Sequence, residues 1–161
     1  MMGRMTYRVC LVCMGNICRS PMAETVLRKT LAGHGLGDRV AVDSAGTGGW
    51  HAGGPMDSRA LRTLADHGYD GSDHRARQFT ADWFDRYDLV LAMDRDNLRF
   101  LRRMAPGEVE VRLFRSFDPD APEGAEVPDP YYGGPEGFEE VLRLVEAASE
   151  GVAKHIADEI D

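Results

Sequence analysis

The sequence predicts an α/β protein, a three-layer sandwich in which a four-stranded parallel sheet is flanked by helices. Short apolar runs of strand type alternate along the chain with segments whose apolar residues recur at helical spacing. Strands joined through helices pair in parallel by right-handed crossovers, which stacks helices on both faces of the sheet. The second observation is length. At 161 residues, with no repeat, low-complexity tract or linker-like break, the chain suits one core, and a single domain over residues 1–161 is expected.

Each element has its own signal. Tyr7 to Val12 (YRVCLV) is short, apolar and valine-rich, a first strand. It runs at once into a loop, and Ser20-Pro21 supplies a capping residue and a proline suited to a first helical turn. Ala23, Val26, Leu27 and Leu31 then share one helical face, and Gly33 and Gly35 can end the helix. Val40 to Ser44 reads as the second strand, and Ser58 to His67 as a helix with Ala60, Leu61, Leu64 and Ala65 inward. Leu89 to Met93 is the third strand, followed by a helix around Asn97 to Met104. Val109 to Phe114 is the fourth strand, and an amphipathic helix runs from about Glu136 to Ile160. Between them, Phe117 to Gly137 is rich in Pro, Gly and Asp, and irregular stretches of that length are more often functional than idle.

Composition narrows the partners. With 43% hydrophobic and 29% charged residues and no long apolar run, membrane insertion is not expected. MMGRMTYRV lacks the continuous apolar stretch of a secretory signal, and no Asn-x-Ser/Thr acceptor occurs. Three cysteines within nine residues cannot make a disulfide framework, so functional thiols in a reducing, cytoplasmic compartment are expected. A net charge of −8 argues against nucleic acid or anionic membrane as the main partner. It leaves room for a small anion, because a concentrated local field outweighs a diffuse net charge.

Such a field is written into Cys13-Met14-Gly15-Asn16-Ile17-Cys18-Arg19-Ser20. A strand-to-helix loop with Gly and Asn, which tolerate left-handed backbone, can aim successive N–H groups at one point. The following helix adds the positive end of its dipole, and Arg19 can fork onto phosphate oxygens. A cysteine at the mouth of that nest is favoured as thiolate, hence as nucleophile. In α/β sheets ligands bind outside the carboxyl ends of the strands, where the first strand delivers Cys13. The Cys-x5-Arg spacing alone is weak; the strand before, Gly and Asn within, and Ser-Pro after give it weight. The cysteines admit other readings. Cys10-x2-Cys13 would need two more zinc ligands, and the five histidines show no ligand-like pairing. Cys10 lies inside the strand and reads as core; Cys18 could be packing or could form a reversible, protective disulfide with Cys13.

With strand, CMGNICRSP loop, helix and a late DPYY in one chain, the sequence resembles the low-molecular-weight protein tyrosine phosphatases. The likeness extends through DSAGT (Asp43 to Thr47), HRARQ (His74 to Gln78) and LVLAMD (Leu89 to Asp94) to DPYYGG (Asp129 to Gly134). It implies the four-stranded parallel sheet, a phosphate-binding loop after the first strand, no metal and no cofactor. It also implies a phosphotyrosine-containing protein as substrate, hydrolysed in two steps through a phosphocysteine. By position, Cys13 would be the nucleophile and Arg19 the phosphate clamp. The backbone N–H groups of Met14, Gly15, Asn16, Ile17, Cys18 and Arg19 would hold the equatorial oxygens. Ser20 would donate its hydroxyl to the sulfur, and Asn16 with Ser44 and His74 would lock the loop. In its basic turn His74 also reads as a surface histidine. Asp118, Asp120 and Asp129 each read as turn chemistry, and Asp129 is the one at the DPYY position, where the family has its general acid and base. Tyr131 and Tyr132 would form one wall of the cleft and Trp50 the other, although an aromatic on a Gly-rich loop can equally be a lid over the core. Both tyrosines are candidates for phosphorylation by a partner kinase.

Three rivals share parts of this pattern. Thioredoxin-coupled arsenate reductases need a later redox cysteine pair, and no cysteine follows Cys18. Protein arginine phosphatases typically carry Thr where this chain has Ile17. A non-catalytic phosphopeptide-binding module would keep Arg19 and the nest without needing both Cys13 and Asp129.

Overall fold

The sheet is built from β1 (Tyr7–Cys13), β2 (Val40–Gly46), β3 (Leu89–Ala92) and β4 (Glu110–Leu113), all parallel, in the order β2-β1-β3-β4. The structure is a computed structural model and describes residues 6–107, 109–131 and 133–160. Helices α1 (Arg19–Gly33), α2 (Ser58–Asp66), α3 (Arg95–Met104) and α4 (Pro135–Ile160) surround the sheet, with 3-10 turns at Ala81–Arg86 and Phe114–Phe117. The three-layer α/β expectation is met.

β1 lies between β2 and β3, which is why its sequence is apolar on both faces. Val9, Leu11 and Cys13 turn toward the core shared with α1 and α4. Cys10 and Val12 turn to the opposite core, with Phe79, Phe84 and Leu101 of α3. Cys10 is therefore a core residue, and burial pushes its thiol pKa well up. The chain leaves β1 toward β2 on one side and continues to β3 on the other, so the switch point falls at the carboxyl end of β1. There β2 still pairs, Cys13 opposite Gly46, while the β1–β3 ladder ends at Val12 opposite Ala92.

Two local expectations need correction. Ser20 is not the cap of α1: the N-cap is Cys18, which makes no side-chain capping bond, and the Ser20 hydroxyl is engaged in the neighbouring site instead. In α2 the inward positions are Ala60, Thr63 and Leu64, with Leu61 half-buried and Ala65 exposed. The other end of α1 follows expectation. Gly35 adopts φ 75°, its N–H bonds Ala32 O, and Leu36 N bonds Leu31 O, a Schellman closure.

Candidate active site

The loop between β1 and α1 is held by its carbonyls. Cys13 O and Met14 O accept from Thr47 N (2.9 Å) and Gly48 N (3.0 Å), and Ile17 O accepts from Asp57 N (2.9 Å). Asn16 O takes the fourth bond, from His74 Nε2 at 2.7 Å; since a carbonyl only accepts, Nε2 carries the proton. Because a trans peptide points its C=O and its N–H in opposite directions, tying these carbonyls outward turns the N–H groups of residues 14, 15, 17 and 18 toward the inside of the loop. Asn16 makes the turn possible with φ 58°, the one left-handed non-glycine among the described residues.

Behind the loop, Asn16 is fully buried and uses its whole side chain. Its Oδ1 accepts from Arg77 N (2.9 Å), and Nδ2 donates to Ser20 Oγ (2.8 Å) and Ser44 Oγ (3.0 Å). Ser44 donates its own hydrogen to Glu24 Oε1 at 2.5 Å, a carboxylate neutralised by Arg28. Ser20 already accepts from Asn16, so its own hydrogen is free for Cys13 Sγ at 3.0 Å, in preference to Ala45 O at 3.4 Å. Asn16 N donates to the same sulfur at 3.2 Å. Two donors thus converge on Sγ, an arrangement that suits a thiolate.

Arg19 is only 3% exposed. Its Nη1 donates to Asp94 Oδ2 (2.8 Å) and Val127 O (3.0 Å), and Nη2 is 3.7 Å from Asp129 Oδ2. Burial works to strip the charge from this guanidinium, but Cys13, Asp94 and Asp129 outweigh it and leave its pKa above the ordinary value. Asp94 also serves the next helix, since its Oδ1 accepts from Asn97 N at 2.7 Å and caps α3.

These groups line a cleft of about 290 Å³. Its lining is the phosphate loop from Cys13 to Arg19 without Asn16, together with Trp50, His51, Asp129 and Tyr131. Met14, Trp50 and Tyr131, 48%, 73% and 40% exposed, are the exposed large hydrophobic side chains of the described residues, and all three stand at this mouth. Asn16, Ser20, Ser44 and His74 do not reach the cleft; they come together behind it. Asp118 and Asp120 lie elsewhere in the long loop, and Tyr132 is outside the described residues. All three cysteines are free thiols, and burial pushes that of Cys18 well up. Sequence reasoning missed Asp94, Glu24 and His51. Only Asp94 had a usable signal, its place just past the third strand at the switch-point edge.

Among the described residues no helix is long and apolar enough to cross a membrane, and no three His, Cys, Asp or Glu side chains gather as a metal site requires.

Comparison with known proteins agrees with this geometry. The family model for low molecular weight phosphotyrosine protein phosphatase matches residues 8–161. A low molecular weight protein-tyrosine-phosphatase of Streptomyces coelicolor is 57% identical over 161 residues, 98% of each chain. The crystal structure of YfkJ from Bacillus subtilis superposes with a TM-score of 0.91 at 36% identity, covering 100% of both chains. That of a Drosophila arginine phosphatase gives 0.84 at 32%, covering 92% of this chain and 96% of the other. With a cysteine at the end of β1 held by one backbone N–H and one hydroxyl of its own loop, and a match along nearly the whole chain, this protein belongs to the low molecular weight phosphotyrosine protein phosphatase family.

Proposed function

We propose that the chain is one phosphatase domain, residues 1–161, that hydrolyses phosphotyrosine in proteins without a metal, through a phosphocysteine on Cys13. The observation that carries this reading is Cys13 Sγ, held by Ser20 Oγ and Asn16 N in a cleft that Arg19 and Asp129 also line. In the first step Sγ attacks phosphorus, the P–O bond to the phenol breaks, and Asp129 gives its proton to the departing oxygen. In the second, Asp129 takes a proton from water, the water oxygen bonds phosphorus, and the S–P bond breaks to return the thiolate and free phosphate. Arg19 and the loop N–H groups hold the three equatorial oxygens throughout, where phosphoryl transfer needs charge and positioning most.

Trp50 and Tyr131 give the cleft an aromatic entrance, and Ile17 at its base presents a hydrocarbon surface that suits a phenyl ring. We place the enzyme in the cytoplasm, in keeping with its free thiols. Tyr131 and Tyr132 are proposed acceptors for a tyrosine kinase; mass spectrometry of protein from its own cells tests this.

Phosphate release from matched phosphotyrosine, phosphoserine and phosphoarginine peptides, with a chelator present, tests the assignment. Phosphotyrosine turnover is expected to vanish in Cys13→Ser and to fall by about a hundredfold or more in Asp129→Ala. A preference for phosphoarginine would keep the nucleophile and replace the substrate. Absence of turnover would leave a phosphopeptide-binding module.

A further inference from the structure

The cleft wall that carries Asp129 is tied to the cleft base by a side chain that the proposed reaction leaves unused. Asp57, whose N–H holds Ile17 O of the phosphate loop, caps α2 by accepting from Arg59 N at 2.8 Å. Its carboxylate also receives the Arg59 guanidinium as a fork, Nε to Oδ1 at 3.1 Å and Nη2 to Oδ2 at 2.9 Å. The remaining nitrogen, Nη1, reaches across to Tyr131 O at 3.0 Å. The guanidinium carbon lies 5.3 Å from the Tyr131 ring centroid and 4.8 Å from that of Phe138, a fully buried residue of α4. Tyr131 in turn sets the acid: its N–H donates to Asp129 Oδ1 at 3.1 Å. A continuous path therefore runs from Ile17 through Asp57, Arg59 and the Tyr131 main chain to the Asp129 carboxyl.

We propose that Arg59 is a positioning residue, which holds Tyr131, and through it the Asp129 carboxyl, at a set place over the phosphate loop. The inference rests on the assignment of Asp129 as the general acid. Three features favour arginine in this role. Its planar fork matches a carboxylate on one edge while leaving a donor on the other, which one ammonium cannot do. Its position over two rings confines the guanidinium. Burial would raise the Asp57 carboxyl, and the Arg59 bonds bring it below the usual range instead, so the carboxylate is charged when the fork needs it. The Arg59 side chain itself is 42% exposed, so its ion pair is expected to contribute little to global stability.

The test is the leaving-group dependence of kcat/KM, which reports the step in which the acid protonates the phenol. Aryl phosphates whose phenols run from strongly to weakly acidic are compared in wild type, Arg59→Ala, Arg59→Lys, Asp129→Ala and the Arg59→Ala/Asp129→Ala double variant. The expected result is that Arg59→Ala melts within about 2–4 °C of wild type. It turns over the ester of the most acidic phenol at nearly the wild-type rate, and loses about tenfold on the least acidic, where proton donation matters. That extra loss disappears when Asp129 is already alanine. Equal loss on every ester, or an undiminished loss in the Asp129→Ala background, would overturn the proposal. If Arg59→Ala does not fold, Arg59→Lys is read the same way: a steeper dependence than wild type supports the fork, an unchanged one refutes it. Failure of the underlying assignment is separate, since it appears in the parent enzyme as no turnover, or as turnover that survives Cys13→Ser.

Discussion

Asn16 commits every hydrogen-bonding group it has. Its N–H faces Cys13 Sγ, its C=O takes the His74 proton, and its side chain holds Arg77 N, Ser20 and Ser44, all at φ 58°. No other side chain supplies both an acceptor and two donors at that length. Alanine there leaves Arg77 N, Ser20 and Ser44 short of a buried partner and keeps a backbone conformation that it resists. Asn16→Ala is expected to destabilise by about 2–4 kcal/mol, and Asn16→Gly, free of the backbone penalty, by about 1 kcal/mol less. Denaturant titration of the two variants checks both the size and the order. A Gly variant no better than the Ala variant would remove the left-handed turn from the explanation.

At the scale of elements, the Asp94 carboxylate divides its oxygens between two jobs, Oδ1 capping α3 and Oδ2 holding Arg19. The jobs can be separated. Asparagine retains a capping oxygen but sets an NH2 against the guanidinium, so Asp94→Asn is expected to cost about 1 kcal/mol in stability while lowering kcat tenfold to a hundredfold, roughly the penalty for a misplaced clamp. Thermal melts beside steady-state rates make the comparison, and Asp94→Ala, which loses both jobs, is expected to fall in both.

The same division explains which parts of the fold were legible beforehand. β1 and α1 were readable because apolar period and glycine chemistry are local; the Schellman closure at Gly35 needs only the residues from Leu31 to Leu36. Ser20 misled because a serine before proline looks like a cap, whereas its hydroxyl answers to Cys13 and Asn16. In α2 Thr63, absent from the apolar pattern, sits inward because its hydroxyl bonds Arg59 O within the helix. The turn at Ala81–Arg86 is too short to show a helical period. The site divides likewise. The loop from Cys13 to Ser20 is contiguous and could be read, but Arg19 finds Asp94 across 75 positions and Arg59 finds Tyr131 across 72. Nothing in local pattern reports such pairings.

For the whole molecule, the sheet separates two cores, and each keeps a neutral thiol, Cys10 on one side and Cys18 on the other. Burial raises both pKa values above the ordinary thiol value of 9.0. The unfolded chain then gives up these protons at lower pH than the native one, so the stability they contribute is complete below pH 9 and is lost as pH rises toward the native values. Stability is expected to be level up to about pH 9 and to fall beyond it by about 1.4 kcal/mol per pH unit for each thiol. Urea titrations along an alkaline series measure the slope. Cys10→Ala is expected to lower the level through its cavity yet to make the slope shallower; an unchanged slope would assign the alkaline loss elsewhere.

Arg19 binds Asp94 and Val127 through one nitrogen while its other faces Asp129, so the group proposed to grip phosphate also suspends the chain that carries the acid. This bears on how such a protein ages in evolution. A duplicate released from selection for catalysis is expected to lose less structure with Cys13 than with Arg19, whose removal would take its donor from the buried Val127 carbonyl and from one oxygen of the half-buried Asp94 carboxylate. The arginine is then expected to outlast the cysteine, and an inactive descendant to keep an anion site in the same loop.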